Sequence, residues 1–348
     1  MSLPRFAALA LVVAAAFVWA CSSPEPRFEA PWFELPADPA EYDPIASYDY
    51  MPIPEQNPLT WEKASLGWQL YYDPRLSGDG VRSCYSCHTC ENGLTDGRAL
   101  AIGAFDKQLT RSAPTMWNVG YIENLYWDGR AGSLEAQAKG AWTGGNMGAS
   151  DPEAIVVKLN QIEGYREQFV NVFNEPATVE NIPMALAAYM RTLIAKNSRF
   201  DRWQAGENDA TGAAAKRGWK LFNDFGCVEC HAGVLFTDQQ FHNVGIGMAD
   251  ENPDLGRGKR TELEQDTGAF KTPTLRDVSK SAPYFHNGSV RTLEEAVRLM
   301  AEGGLENPWL SPKLEKQKIS DQQVSDIVSF LYSLDEPCTL TAPPLPPK

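Results

Sequence analysis

The residues with the clearest chemistry are two copies of Cys-x-x-Cys-His, Cys84-Tyr85-Ser86-Cys87-His88 and Cys227-Val228-Glu229-Cys230-His231, placed 143 residues apart. Two thiols three residues apart reach the two vinyl groups of one porphyrin, and the adjoining imidazole then falls beneath the iron. The pattern predicts two covalently attached haem c groups. Cys84, Cys87, Cys227 and Cys230 are the attachment points, and His88 and His231 are the iron ligands. A single copy also admits a zinc pair or a thioredoxin-like redox pair. Zinc would want a second thiol or imidazole pair at finger-like spacing, and none follows either copy.

The start of the chain agrees with that chemistry. Arg5 precedes an uncharged, mostly apolar stretch from Phe6 to Ala20, followed by Cys21. Fifteen such residues are short for a membrane span and suit the core of a signal peptide. Val18-Trp19-Ala20-Cys21 approximates a lipobox, which makes Cys21 the expected lipidation site and lipid anchor, with ordinary secretion as the alternative. The expected location is the periplasm or cell surface, with anchoring at the outer membrane. The formal charge of −14 becomes −15 once residues 1–20, with one Arg and no acid, are removed. Such a surface repels nucleic acid and anionic lipid. Of seven cysteines, Cys90 and Cys338 are left over; a disulfide between them is open, since spacing alone does not show their Cα atoms to be close.

The elements that must position the two motifs read as helices. Gly67-Trp68-Gln69-Leu70-Tyr71 precedes the first motif and Gly218-Trp219-Lys220-Leu221-Phe222 the second, a weak internal repeat. Ser150 to Glu153 reads as a capping box with Pro152 in the first turn. Thr292 to Glu295 opens a helix ending at Gly303-Gly304, and Ser320 to Gln323 opens a last amphipathic helix. Nine prolines in residues 22–58 argue for an extended tether. The expected class is all-α: two tandem cytochrome c-like domains with long haem-wrapping loops. The expected division is a signal peptide over 1–20, a tether over 21–58, domains over 59–205 and 206–336, and a proline-rich tail over 337–348.

From about Leu66 to Leu334 the chain resembles the bacterial di-haem cytochrome c peroxidase family, which includes the MauG-type enzymes. The stretches that carry the resemblance are YYDPRLS (71–77), SCYSCH (83–88), RSAPT (111–115) and YWDGRAGSLEAQAKG (126–140). In the second half they are GCVECHAG (226–233), FKTPTLRDVSKSAPYFHNGSV (270–290) and TLEEAV (292–297). The resemblance implies that His88 holds a peroxide-reacting haem and His231 an electron-transfer haem. It places Met300 as the second ligand of the latter, although Leu293, Val297 and Met300 also read as a plain packing stripe. Trp127 matches the Trp between the haems, an aromatic relay that is equally a core anchor. Ser112, with the carbonyls of Ser281 and Pro283, lies where the family binds calcium.

Two departures follow from the same comparison. Ala104 stands where many relatives carry a distal His, so the first iron is expected to be open unless Met147 or Met116 fills it. His242 and His286 read as loop-ordering or propionate-contacting residues. Asn146-Met147-Gly148 replaces the usual Glu-Met-Gly, so Asn146 can orient peroxide but is no general base. Glu153 is nearer to a capping role. The implied activity is peroxide reduction at the first haem with electrons relayed from the second, drawn from a small cytochrome c or cupredoxin. A MauG-like, peroxide-dependent oxidation of a partner protein and a non-catalytic electron carrier are the alternatives. A homodimer is open.

Overall fold

The computed structural model describes residues 51–347; the expected signal peptide, Cys21 and most of the proline-rich stretch lie outside them. Ten helices are found among the described residues: α1 Trp61–Tyr72, α2 Leu134–Thr143, α3 Pro152–Gln161, α4 Glu163–Phe173, α5 Asn181–Met190, α6 Arg199–Gln204, α7 Ala213–Asp224, α8 Gly258–Thr261, α9 Leu293–Ala301 and α10 Asp321–Tyr332. Between them lie long loops with short 3₁₀ turns and one antiparallel pair of two-residue strands, β1 Phe241–His242 and β2 Phe270–Lys271. The result is helical, two cytochrome c-like domains in tandem.

Each half is organised by one helix crossing, and each crossing is set by a glycine. In the first half α1 packs on α5, and a Cβ at Gly67 would collide with the carbonyl of Ala185. In the second half α7 packs on α10, and a Cβ at Gly218 would collide with the carbonyl of Asp326. These are the glycines of the repeated Gly-Trp segments, so the repeat marks where backbones must touch. The side chains around the crossings form two cores, one with Leu66, Leu70, Trp142, Phe169 and Leu186, the other with Phe200, Phe222, Phe236, Phe330 and Leu331. Replacing Gly218 with Ala is expected to cost roughly 3 kcal/mol, the upper end of overpacking penalties, because the neighbour is helix backbone that cannot rotate away. A guanidinium unfolding midpoint measures it.

A second repeat is visible in the loops. Residues 112–141 and 271–300 correspond without a gap at a constant offset of 159. Both contain a 3₁₀ turn, Val119–Tyr121 and Val278–Lys280, each preceded by a left-handed residue, Asn118 and Asp277. Both contain a tight loop closed by one bridge, Leu125 to Ala131 and Tyr284 to Val290. Both then enter a capped helix, by Ser133 into α2 and by Thr292 into α9. The halves meet through these loops reciprocally. Ser112 N donates to His286 O at 2.8 Å, and Lys271 N donates to Trp127 O at 2.9 Å. Each partner of the first bond is 159 residues from a partner of the second, so the seam is a self-complementary interface made within one chain. Trp117 Nε1 adds a buried bond across it to Asp277 Oδ2, at 2.9 Å.

The capping boxes at Thr292 and Ser320 form as expected. The one at Ser150 does not. Asp151 is the N-cap, its carboxylate accepting from Ala154 N, and Pro152 takes the first helical position. Proline at that position fixes the cap at the residue before it, which excludes Ser150. Residues 51–58, assigned to the tether, are built into the body: Met51 is buried with Tyr121 and Leu235, and Asn57 donates to Glu135 Oε1 and Met184 O at 2.7 and 3.0 Å. The proline-rich tail is likewise packed. Cys338 forms a disulfide with Cys90, the Trp68 indole donates to Thr341 O, and Arg75 donates to Pro346 O.

Candidate functional site

The two histidines of the motifs are held alike. His88 Nδ1 lies 2.9 Å from the carbonyl of Leu94, and His231 Nδ1 lies 2.9 Å from that of Phe236. A carbonyl acceptor fixes the tautomer with the proton on Nδ1 and leaves Nε2 as a lone-pair donor, as an iron ligand requires. Burial pushes the His88 imidazole down to about 4 and lowers that of His231, so both are neutral near pH 7. The thiols are unpaired. Burial raises Cys84 to about 12 and Cys227 to about 11, the opposite of the depressed values a disulfide-exchange pair needs. The thioredoxin-like reading fails on this point.

A cavity lies between the two halves, beside the loops that orient these histidines. Its volume is about 130 Å³, smaller than a typical ligand pocket. Its first-half lining includes Thr95, next to Leu94, together with Met116, Tyr126, Trp127 and Gln137. Its second-half lining includes Thr272 and Thr274, whose hydroxyl donates to Leu235 O beside Phe236. Arg98, Lys271 and Arg276 line it and no carboxylate does. Arg276 is satisfied by Asp201 and the Val234 carbonyl, whereas Lys271 Nζ donates to the Asn124 carbonyl at 2.7 Å. Without a carboxylate, burial lowers Lys271 to about 7. A buried ammonium in an acid-free cavity suits a propionate. Unpaired thiols and oriented imidazoles fit a haem at each motif, and the cavity lies between the two motifs without any of their cysteines or histidines in its lining.

Trp127 is half-buried in this lining, its indole donating to Ser112 O at 3.0 Å and its carbonyl accepting from Lys271 N. At the equivalent place in the second half stands His286, buried and stacked on Phe270 with centroids 3.6 Å apart. His242 joins β1 to the following loops, with Nε2 2.9 Å from Asp238 Oδ2 and Nδ1 3.2 Å from Ser311 Oγ. Cys230, Asp238 and His242 form the only metal-like cluster among the described residues, and the attachment role of Cys230 competes with it.

On the first-half side, Ala104 and Asn146 are brought together, Ala104 N donating to Asn146 O at 2.9 Å. Asn146 itself is exposed and does not line the cavity. The polar side chain that does is Gln137, whose buried Oε1 has no hydrogen-bond partner. Sequence reasoning passed over it. Met147 is packed in the first core, while Met116 reaches the cavity. Met300 lies in the last turn of α9, partly exposed. The repeat register sets Ala141 of α2 in its place in the first half, a side chain without a ligating atom.

Residues 61–209 match the family model described as di-haem cytochrome c peroxidase, and residues 215–335 match that of cytochrome c. The methylamine utilization protein MauG of Methylophilus methylotrophus is 39% identical over 293 residues, covering 82% of this chain and 86% of that protein. The chain belongs to the di-haem cytochrome c peroxidase family. Another member, the cytochrome-c peroxidase IdrP1 of Denitromonas iodatirespirans, is 36% identical over 344 residues, covering 89% of this chain and 92% of that protein. Among solved structures, a MauG-like protein associated with microbial copper homeostasis superposes with a TM-score of 0.77 at 32% identity, covering 82% of this chain and 93% of that one. A family oxidoreductase with haem cofactors accounts for the paired motifs and the cavity between them.

The proposed calcium site fits less well. Ser112, Ser281 and Pro283 line the cavity together, but they offer neutral oxygens only, and Ser112 already donates its hydroxyl to Phe285 O at 3.0 Å. With Lys271 and Arg276 in the same lining, the donor set lacks the carboxylate charge that holds calcium tightly.

Proposed function

We propose that the His88 centre meets hydrogen peroxide and the His231 centre receives electrons, with covalent haem c at both motifs and Trp127 between them. The observation that carries this is the cavity shared by the two histidine loops, with Trp127 in its lining. Haem, when bound, would supply peroxide reduction at one site and one-electron transfer at the other. The chain makes these sites unequal. Met300 completes the second site with a thioether, while Ala141 and Ala104 leave the first without a side-chain ligand. Gln137 presents its unpartnered Oε1 to peroxide, orienting it by accepting a hydrogen bond. Leu94 and Phe236 hold the two imidazoles in register, and the Ser112 carbonyl fixes the Trp127 indole. Lys271 neutralises a propionate. Calcium has no part in this reading. An exported location suits both the thioether linkages and the Cys90–Cys338 disulfide.

The acid-free lining favours a second reading of the same site. O–O cleavage is assisted by a group that moves a proton between the oxygens, and neither Gln137 nor Asn146 is a base near neutral pH. Oxidising equivalents that are consumed slowly can reach a partner protein's aromatic side chain through Trp127. Mixing the ferric protein with hydrogen peroxide and following the Soret and near-infrared bands separates the readings. Rapid return on adding a reduced small cytochrome or cupredoxin supports the peroxidase; a change that persists until a protein substrate is added supports the second. An unreactive spectrum removes both. Trp127→Phe is expected to slow electron delivery between the sites at least ~10-fold, a barrier change of about 1.4 kcal/mol, with haem content intact. Unchanged single-turnover kinetics would take Trp127 out of the path.

A further inference from the structure

The helix crossings of the two halves are built alike, with one chemical difference. In the second half Phe330 of α10 lies against Gly218, and its ring meets that of Phe222, both buried, with centroids 5.1 Å apart at 57°. In the first half Tyr189 of α5 lies against Gly67 in the same way, and its ring meets that of Tyr71, both buried, with centroids 5.1 Å apart at 62°. The pair geometry is kept and two hydroxyls are added. The exchange continues around the pair. Tyr72 stands where the second half has Asn223, and Tyr85, inside the first motif, stands where it has Val228. Tyr72 stacks on Tyr85 with centroids 4.5 Å apart and lies 5.7 Å from Tyr71. Four phenols therefore run Tyr189, Tyr71, Tyr72, Tyr85, ending beside Cys84, and the corresponding places of the second half hold none.

The hydroxyls of Tyr71, Tyr72 and Tyr189 are buried without a hydrogen-bond partner, three of the six such side-chain atoms among the described residues. Tyr72 and Tyr189 come near enough to bear on each other's ionisation, yet no hydrogen bond closes between them. A buried donor left unpaired destabilises the fold, and Phe222 with Phe330 shows that such a crossing closes without one. Unpaired buried groups of this kind call for a functional reason. Besides hydrogen bonding, what a phenol has and Phe lacks is ready one-electron oxidation. Burial raises the ionisation of Tyr71, Tyr72 and Tyr189, so they stay protonated near neutral pH and an electron leaves each with its proton. Their place suits this chemistry. Cys84 and Tyr85 pack on the core that contains Tyr71 and Tyr189, and in the other half the Phe222 ring is 6.3 Å from that of His231.

We infer that Tyr71, Tyr72, Tyr85 and Tyr189 form an oxidisable store beside the first motif, which takes up oxidising equivalents from peroxide when no electron donor is at hand. The inference rests on the reading that the His88 centre meets peroxide. None of the four lines the cavity that Trp127 lines, so the store is separate from the path through Trp127. Two phenols each give up one electron and one proton. The O–O bond of one hydrogen peroxide breaks, two waters form, and two neutral phenoxyl radicals remain. Two one-electron donors and two protons then restore the phenols.

The test freezes ferric holoprotein shortly after mixing with hydrogen peroxide, without donor, and reads it by electron paramagnetic resonance while the Soret band is followed in parallel. Wild type should give a phenoxyl signal whose hyperfine pattern narrows when the protein is made with ring-deuterated tyrosine. Changing all four residues to Phe should lose that signal and hasten Soret bleaching under repeated peroxide. The milder pair Tyr71→Phe and Tyr189→Phe copies the second crossing, so it should weaken the signal while haem content and guanidinium midpoint do not fall. Trp127→Phe should keep the signal. A Soret response without a phenoxyl signal, equal signals in wild type and both Tyr variants, or loss of the signal in Trp127→Phe would overturn the store alone. Loss of haem from the paired variant would overturn it too, by assigning the hydroxyls to holding the porphyrin. An unchanged Soret band in wild type fails the peroxide reading and the store with it.

Discussion

Replacing His88 with Ala is expected to lower peroxide turnover at least ~100-fold, because groups that merely orient a metal ligand are already worth about 10–100-fold and His88 is the proposed ligand itself. Under the proposed attachment through Cys84 and Cys87, haem content per chain is measured alongside, which separates loss of the iron ligand from loss of the haem. His231→Ala is the informative counterpart. It should abolish electron delivery from the donor while leaving a stoichiometric optical response to peroxide at the first site. The reverse pattern, with peroxide response lost in His231→Ala and kept in His88→Ala, would exchange the two roles. The expectation of unequal sites comes from what faces each imidazole. The hydrogen bonds to Leu94 and Phe236 are equal at 2.9 Å and cannot distinguish them. The difference is Met300 against Ala141, at corresponding places in α9 and α2.

That correspondence shows what the sequence disclosed and what it concealed. The haem motifs and the Gly-Trp segments before them were legible because their chemistry is local: thiol spacing predicts attachment, and a glycine marks a helix crossing. The loop repeat was harder to see, since few of its positions keep the same residue and Trp127 is exchanged for His286. What the halves share is backbone geometry, left-handed residues such as Asn118 and Asp277 and a loop closed by one bridge. Gln137 was missed for a related reason. Its helix was readable, but which face of α2 meets the cavity is a tertiary fact. A signal did exist, since Gln137 aligns with the apolar Ala296 of the other repeat. Asn146 drew attention instead because it stands beside Met147-Gly148, yet its side chain lies at the surface. Proline content argued against helix, and among the described residues 51–58 and 337–347 hold none, but extended backbone can pack as well as dangle, as Met51 and Pro346 do.

The docked tail sets up the largest expected stability effect. Cys90 and Cys338 close a loop of 248 residues, and a cross-link of that reach restricts the unfolded chain strongly. Changing both to Ser should cost about 2–5 kcal/mol, read as a lowered guanidinium midpoint under conditions where the wild type keeps its disulfide. The effect should not be purely global. Cys90 lies two residues past His88, at the start of the short turn Cys90–Asn92, which leads through Gly93 to Leu94, whose carbonyl orients the His88 ring. Cys338 anchors the tail that Trp68 and Arg75 hold through Thr341 and Pro346. Cutting the link should release both together. Amide hydrogen exchange should rise in residues 337–347 and in residues 89–95 of the double variant, and remain unchanged around His231. If exchange rises only in the tail, the disulfide is a clamp on the C-terminus and has no hold on the first haem site.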